Sequence, residues 1–259
     1  MDNANKLTTK EHWDESWQRV KLPAVIRESE ANLLTLELLK VLNRFLPQQP
    51  GLSFLEVGGA PGQFLAYFSE KFGYIPYALD YSDTGCEKLR ENFKLLNIDL
   101  NLIQRDFFGD LSDLQKFDIV FSSGFIEHFN DLDEVVGRHL QLLKKGGILI
   151  LGVPNFTGIN KIVLSRLAPK LLSMHNLNNM KQENWEKFEK KYNLEIIFRE
   201  YVGGFEPRNY RRCETKNLKN KIIRFIFKPI RIFITDRIPF LRRFNSPLWS
   251  AYLLGIYRK

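Results

Sequence analysis

Residues 54–68 read Phe-Leu-Glu-Val-Gly-Gly-Ala-Pro-Gly-Gln-Phe-Leu-Ala-Tyr-Phe: a short apolar strand, a glycine-rich turn and the start of a helix. Gly58, Gly59, Ala60 and Gly62 let a ligand press against the backbone, where a larger side chain would collide with it. Glu56 adds a carboxylate at the strand's carboxyl end, the end at which open α/β sheets bind ligands. Acids recur after the next two apolar runs, at Asp80 beside Tyr81 and at Asp106 beside Phe107. A fourth run leads into Ser122-Ser123-Gly124-Phe125-Ile126-Glu127-His128. Histidine suits removal of a proton from an oxygen nucleophile near neutral pH. The chain has four, at 12, 128, 139 and 175, and only His128 follows a strand directly with a carboxylate beside it.

The turn narrows the chemistry by what it lacks. A dinucleotide fingerprint needs Gly-x-Gly-x-x-Gly, but counting from Gly58 the chain offers Ala60 and then Gln63. A phosphate-cradling loop would end in Lys-Ser or Lys-Thr, and neither follows. Strand-like and amphipathic stretches then alternate, which predicts βαβ units and a parallel sheet. Strands are expected at 74–80, 102–106, 117–122 and 147–153, with helices at 84–96 and 132–143. His139 falls on the second of these helices and reads as a surface residue.

Glu-x-Gly-x-Ala-x-Gly, with acids closing the second and third strands, resembles the class I S-adenosylmethionine-dependent methyltransferases over roughly residues 50–155. That resemblance implies a Rossmann-like, doubly wound α/β sheet of seven strands, six parallel and the seventh antiparallel. The runs at 194–202 and 250–257 fit the two closing strands. It implies S-adenosyl-L-methionine as cofactor, with Glu56, Gly58, Gly59, Ala60 and Gly62 around its methionine part. Asp80 and Tyr81 then fall at the ribose, a carboxylate's two oxygens suiting the diol. Asp106 and Phe107 fall at the adenine, and Ser122 and Ser123 beneath the cofactor. Glu127 and His128 are the expected catalytic pair, His128 as general base. A Glu-His pair at this place is similar to that of ubiquinone-biosynthesis O-methyltransferases. In some of those a carboxylate three residues before the Glu joins it in holding a divalent cation; here Gly124 stands there, so no metal is expected. Ala60-Pro61-Gly62 also resembles the loop of ribosomal RNA 2′-O-methyltransferases. Their catalytic Asp and Lys are replaced here by Ser123 and by Val153-Pro154-Asn155, so that activity does not carry over.

Composition adds bounds and one asymmetry. At 259 residues and 44% hydrophobic, the chain can bury a full core. Two cysteines without metal-ligand spacing suit a reducing cytoplasm, and the polar start predicts no signal peptide. Residues 207–259 carry 14 Lys or Arg against 2 Asp or Glu, a surplus of +12, so the rest holds −4 of the net +8. The expected organisation is a helical N-terminal cap (1–45), a cofactor-binding core (46–155) and a closing part (156–259). That closing part includes a substrate-side cap with Trp185 and Phe188 as packing residues, and a basic insertion at 207–247. In the front cap, Trp13 and Trp17 stand one helical turn apart, as in related enzymes whose N-terminal helix covers the cofactor. In the insertion, Lys221, Arg224, Lys228 and Arg231 share one helical face opposite Ile222, Phe225, Ile226 and Phe233. Three readings of that segment stay open: packing on the domain, a peripheral contact of residues 219–244 with a membrane, or nucleic acid. The expected acceptor is an oxygen, or a nitrogen, of a small molecule, glycan precursor or lipid-linked intermediate. The acidic core argues against nucleic acid. The rival is a catalytically silent domain that binds a membrane or a partner through the insertion.

Overall fold

Along the central strands both alternating sets of side chains are apolar, the pattern of a sheet covered on both faces. The computed structural model, which describes residues 5–205, Ile222, Phe225 and 244–259, shows that sheet. Its strands are β1 (Ser53–Val57), β2 (Ile75–Asp80), β3 (Asn101–Gln104), β4 (Phe117–Ser123), β5 (Leu143–Pro154), β6 (Glu195–Phe205) and β7 (Ser250–Arg258). They lie in the order β3-β2-β1-β4-β5-β7-β6. The first five pair in parallel. β7 runs antiparallel to both β5 and β6, so β6 shares the direction of the first five. This is the expected sheet of six like-directed strands and one reversed.

Each face carries its own core. Leu55 and Val57 of β1, with Leu149 and Leu151 of β5, pack under α5 (Leu132–Leu142), α6 (Gly158–Leu167) and α8 (Gln182–Lys191). Trp185 and Phe188 of α8 are fully buried there, as packing residues. Phe54, Phe121 and Ile150 face the other way, against α2 (Leu33–Phe45), α3 (Gln63–Phe72) and α4 (Asp83–Leu96). Full burial of a side chain such as Phe54 contributes about 1.5–3 kcal/mol. α1 (Lys10–Gln18) buries no residue fully and lies across the strand tips, while α2 packs on β6. A short α7 (Pro169–Ser173) follows α6.

Local signals set the helix starts. Ser82 accepts a hydrogen bond from the Gly85 N–H (2.9 Å) and Asp131 from the Glu134 N–H (3.0 Å), capping α4 and α5. α3 starts differently, on Gly62 at φ +81°, where any other residue is strained. β3 ends at Gln104 instead of reaching Asp106. The Asp106 carboxylate accepts the Phe108 N–H (3.0 Å) and its carbonyl the Gly109 N–H (2.9 Å), turning the chain out of the sheet. Most of the basic insertion, and the membrane, packing and nucleic-acid readings placed on it, lie outside the described residues. Ile222 and Phe225 are helical and exposed. Among the described residues no helix is long and apolar enough to cross a membrane.

Candidate active site

Strand order reverses between β1 and β4, so the loops after these strands part and leave a crevice at their carboxyl ends. The cavity there is lined by Gly58, Asp80, Tyr81, Asp106, Phe107, Gly124 and His128. Trp13 and Trp17 of α1 close it from above, stacked with ring centroids 5.8 Å apart. Of the residues expected to hold a cofactor, Glu56, Gly59, Ala60, Gly62, Ser122 and Ser123 stand behind this lining.

The glycines owe their place to packing as much as to any ligand. A Cβ on Gly58 would come within 2.4 Å of the Phe125 ring, and one on Gly59 within 2.2 Å of the Glu56 carboxyl carbon. On Gly62 it would meet Phe93 at 2.7 Å and Leu89 at 2.9 Å. The expectation that these positions stay small to admit a ligand is therefore refined: neighbouring side chains already fill the space. Of these three glycines only Gly58 lines the cavity.

Glu56 is buried behind the loop, and its Oε2 has no hydrogen-bond partner. Burial, reinforced by the nearby Asp80 charge, pushes its carboxyl up to about 8, so it stays protonated at neutral pH. Asp80 closes β2 at 6% exposure, and its Oδ1 accepts the Ser82 N–H at 2.9 Å. Burial lifts it to about 6, against the pull of backbone N–H groups from Ser82, Tyr81 and Ala60. Asp106 behaves oppositely. Burial raises it, but the Lys6 ammonium at 2.8 Å and the Phe108 N–H together hold it below the ordinary carboxylate range. Ser122 Oγ is buried without a partner, and the Ser123 hydroxyl lies 2.6 Å from that of Tyr252. A cofactor bearing a diol, an amine and an aromatic base fits this set: buried acceptors at Glu56, Asp80 and Ser122, and an aromatic wall at Phe107.

The N-terminal segment forms one side of the cavity. Lys6 forms a β-bridge with Phe129, the Leu7 N–H donates to the His128 carbonyl (2.8 Å), and Lys6 Nζ reaches Asp106. Asp14 of α1 accepts from the Ser82 hydroxyl (2.6 Å) and the Thr84 N–H (3.1 Å), pinning the helix to the start of α4. Nothing in the sequence pairs Lys6 with Asp106, 100 residues away. Phe125 and Phe129, four apart around the Glu-His pair, are lining residues that an aromatic i,i+4 spacing could have flagged.

His128 lies in a single 3-10 turn, Ile126–His128, after β4. Its Nδ1 lies 2.8 Å from the Met174 carbonyl, which fixes the proton on Nδ1 and leaves Nε2 as the acceptor. Nε2 stands 3.9 Å from Glu127 Oε1. The Trp13 and His175 rings pack against the imidazole at 5.0 and 4.5 Å. Burial, with the neighbouring His175, lowers its pKa to about 3. His175 of the cap, 47 residues further along the chain, is thus brought to the pair. Glu127, His128 and His175 each offer a ligand atom within 4.8 Å of the others, so a divalent cation could be held there although Gly124 supplies no carboxylate. His139 corrects the surface reading. It is fully buried, its Nδ1–H donates to the Val135 carbonyl (2.8 Å), and its ring packs on Phe107 at 4.7 Å. Val135, His139 and Leu142 follow the apolar stripe of α5, and that stripe takes the imidazole inside.

A family model described as a methyltransferase domain matches residues 31–197. The chain is 31% identical over 138 residues to a ubiquinone biosynthesis O-methyltransferase of Pelagibacter ubique, covering 52% of this chain and 55% of that one. It is 24% identical over 164 residues to phosphoethanolamine N-methyltransferase 1 of Zea mays, covering 58% and 30%. The match thus spans roughly a third to a half of the length of these curated relatives. A methyltransferase from Geobacter sulfurreducens, solved with S-adenosyl-L-homocysteine, shares the fold at a TM-score of 0.57 and 16% identity, over 96% of each chain.

Proposed function

The chain belongs to the methyltransferase-domain family, and on that premise we propose that it transfers a methyl group from S-adenosylmethionine to an oxygen, or a nitrogen, of a small molecule, glycan precursor or lipid-linked intermediate. One observation carries this reading. The cavity between the β1 and β4 tips brings Asp80, Asp106 and Phe107 together with His128 under the same α1 cover. A cofactor site alone would need only the first three.

The bound cofactor supplies a methyl group activated by the positive charge on its sulfur. The chain's part is to hold, orient and exclude water. Asp80 would take the ribose hydroxyls, Phe107 the adenine face, and Glu56 and Ser122 would offer buried acceptors behind the loop. Asp106 already holds the Lys6 ammonium, so an adenine amino group would share that carboxylate or displace the lysine. His128 Nε2 would accept the hydrogen bond of an acceptor hydroxyl, with the Glu127 carboxylate close enough to stabilise the charge that develops on the imidazole. With its pKa near 3, His128 is a weak base, so its contribution is orientation and late proton transfer more than prior deprotonation. An amine acceptor arriving neutral would use the same hydrogen bond.

Calorimetry with S-adenosylhomocysteine, followed by transfer of labelled methyl groups into fractionated metabolite and lipid extracts, tests the reading. His128→Ala should lower turnover by roughly 10²–10⁴-fold while cofactor affinity stays nearly intact. Binding without transfer into any fraction would instead favour a silent binding domain, and a full-rate His128→Ala would make the histidine structural.

A further inference from the structure

Six of the nine large apolar side chains exposed among the described residues fall in two stretches: Ile159 and Ile162 on α6, and Ile222, Phe225, Phe244 and Leu248 before β7. α6 is amphipathic the wrong way round for a helix that only packs. It buries Asn160 with Leu164 and Leu167, and the Asn160 amide is satisfied by the Asn155 carbonyl at 2.8 Å. Ile159 and Ile162, 43% and 56% exposed, stand on the outer face, and Arg166 continues their stripe one turn further. The Ile159 N–H donates to the Leu248 carbonyl at 2.9 Å, so the first turn of α6 abuts residues 244–249. There Leu248 is 53% exposed and Phe244 stacks on Trp249. α6 and residues 244–249 thus form one surface.

Its charge is one-sided. Residues 135–182 contain no Asp or Glu, and neither do residues 237–259. Lys161, Arg166 and Lys170 of α6 and α7 are all exposed. A matching partner must be both negative and able to take aliphatic and aromatic side chains. Nucleic acid backbone meets the first condition only, and the interface of an anionic bilayer meets both. We propose that α6 and residues 244–249 dock the chain on an anionic lipid surface. α6 leads through α7 to His175, whose ring packs against His128 at 4.5 Å. The lipid-facing surface and the acceptor end of the cavity therefore belong to one cap. If the proposed transfer holds, this favours an acceptor that partitions into the bilayer; the docking itself is independent of that reading.

Cosedimentation of the full chain with vesicles tests it without any activity measurement. The protein should pellet with phosphatidylglycerol–phosphatidylcholine vesicles and stay in solution with phosphatidylcholine alone. Ile159→Asp with Ile162→Asp should lower partitioning at least tenfold. Lys161→Gln, Arg166→Gln and Lys170→Gln together should lower it roughly a hundredfold, at ~1 kcal/mol for each cation near such a surface. All five positions are exposed, and unchanged thermal unfolding of the variants shows that the fold survives. Binding that persists in both variants would assign the lipid contact elsewhere on the chain and overturn the proposal. So would equal binding to neutral vesicles, or a dimer that the isoleucine substitutions dissolve.

Discussion

Asp80 gives the sharpest test, because the structure sets its contributions to stability and to binding against each other. Burial holds its carboxyl at about 6, against an ordinary 3.8. That difference corresponds to about 3 kcal/mol at ~1.4 kcal/mol per tenfold change in proton affinity. The carboxyl keeps its proton in the fold to higher pH than in the unfolded chain. Between about pH 4 and 6 the unfolded chain releases a proton that the fold retains, so stability falls as pH rises, then levels off. Asp80→Asn removes that titration while keeping the shape. The asparagine oxygen can still accept the Ser82 N–H, but its amide turns a donor toward the Tyr81 and Ala60 N–H groups, at a cost of about 1–2 kcal/mol. Near pH 4 the variant should therefore equal or fall slightly below the parent. Above pH 6 the parent has lost about 3 kcal/mol to this titration, so the stability of the variant relative to the parent should be about 3 kcal/mol more favourable than at pH 4.

Glu56 titrates in both proteins, from an ordinary 4.5 to about 8 in the parent, and the Asp80 charge adds to that shift, so the difference between the two proteins reports Asp80 together with its coupling to Glu56. Denaturant unfolding at intervals from pH 4 to 7.5 without cofactor measures it. Affinity moves the other way. Losing charge-assisted hydrogen bonds to a ribose should weaken S-adenosylhomocysteine by about 1–3 kcal/mol at pH 7.5. A stability difference that does not change with pH would refute the burial argument. Unchanged affinity would remove Asp80 from the cofactor site.

Two further outcomes follow from the packing around the site. Gly62→Ala places a side chain at φ +81° and 2.7 Å from Phe93, so it should cost about 2–4 kcal/mol in thermal or denaturant unfolding even with no ligand present. A neutral Gly62→Ala would mean that the residue is kept for a ligand alone. Trp13→Ala removes a ring that stacks on Trp17 and meets His128 edge-on, and should weaken cofactor binding about tenfold with little loss of global stability, since α1 buries nothing fully. Large destabilisation instead would make α1 part of the core.

The sheet is legible in the sequence because each strand is a self-contained apolar run, and an acid closes β2 and another follows β3. The same holds for the glycine turn, a local signal from start to finish. His139 reads as a surface residue by type, and only its spacing from Val135 and Leu142 places it inside. What could not be read are contacts between distant parts. Lys6 meets Asp106, Tyr252 meets Ser123, and His175 meets His128 only after the termini and the cap fold over the strand tips. No periodicity encodes such pairings.

The two halves of the cavity are therefore specified in different ways. The cofactor half is built from strand ends and one turn, and burial poises its Glu56 and Asp80, while the Lys6 ammonium sets Asp106. The acceptor half depends on α1, on the turn around Glu127 and on the cap, and each is held to the others by a few contacts across the crevice. The His128 imidazole shows the dependence most clearly. Met174 sets its tautomer, Trp13 and His175 exclude water from it, and burial together with His175 brings its pKa down to about 3. Removing Trp13 or His175 would let water in and raise its proton affinity, whereas losing the Met174 carbonyl would lower it; Asp80, on the far side, would keep its own. A chain that changed acceptor could thus rebuild the cap and leave the turn at 58–62 untouched. The chain is accordingly similar both to an O-methyltransferase and to an N-methyltransferase.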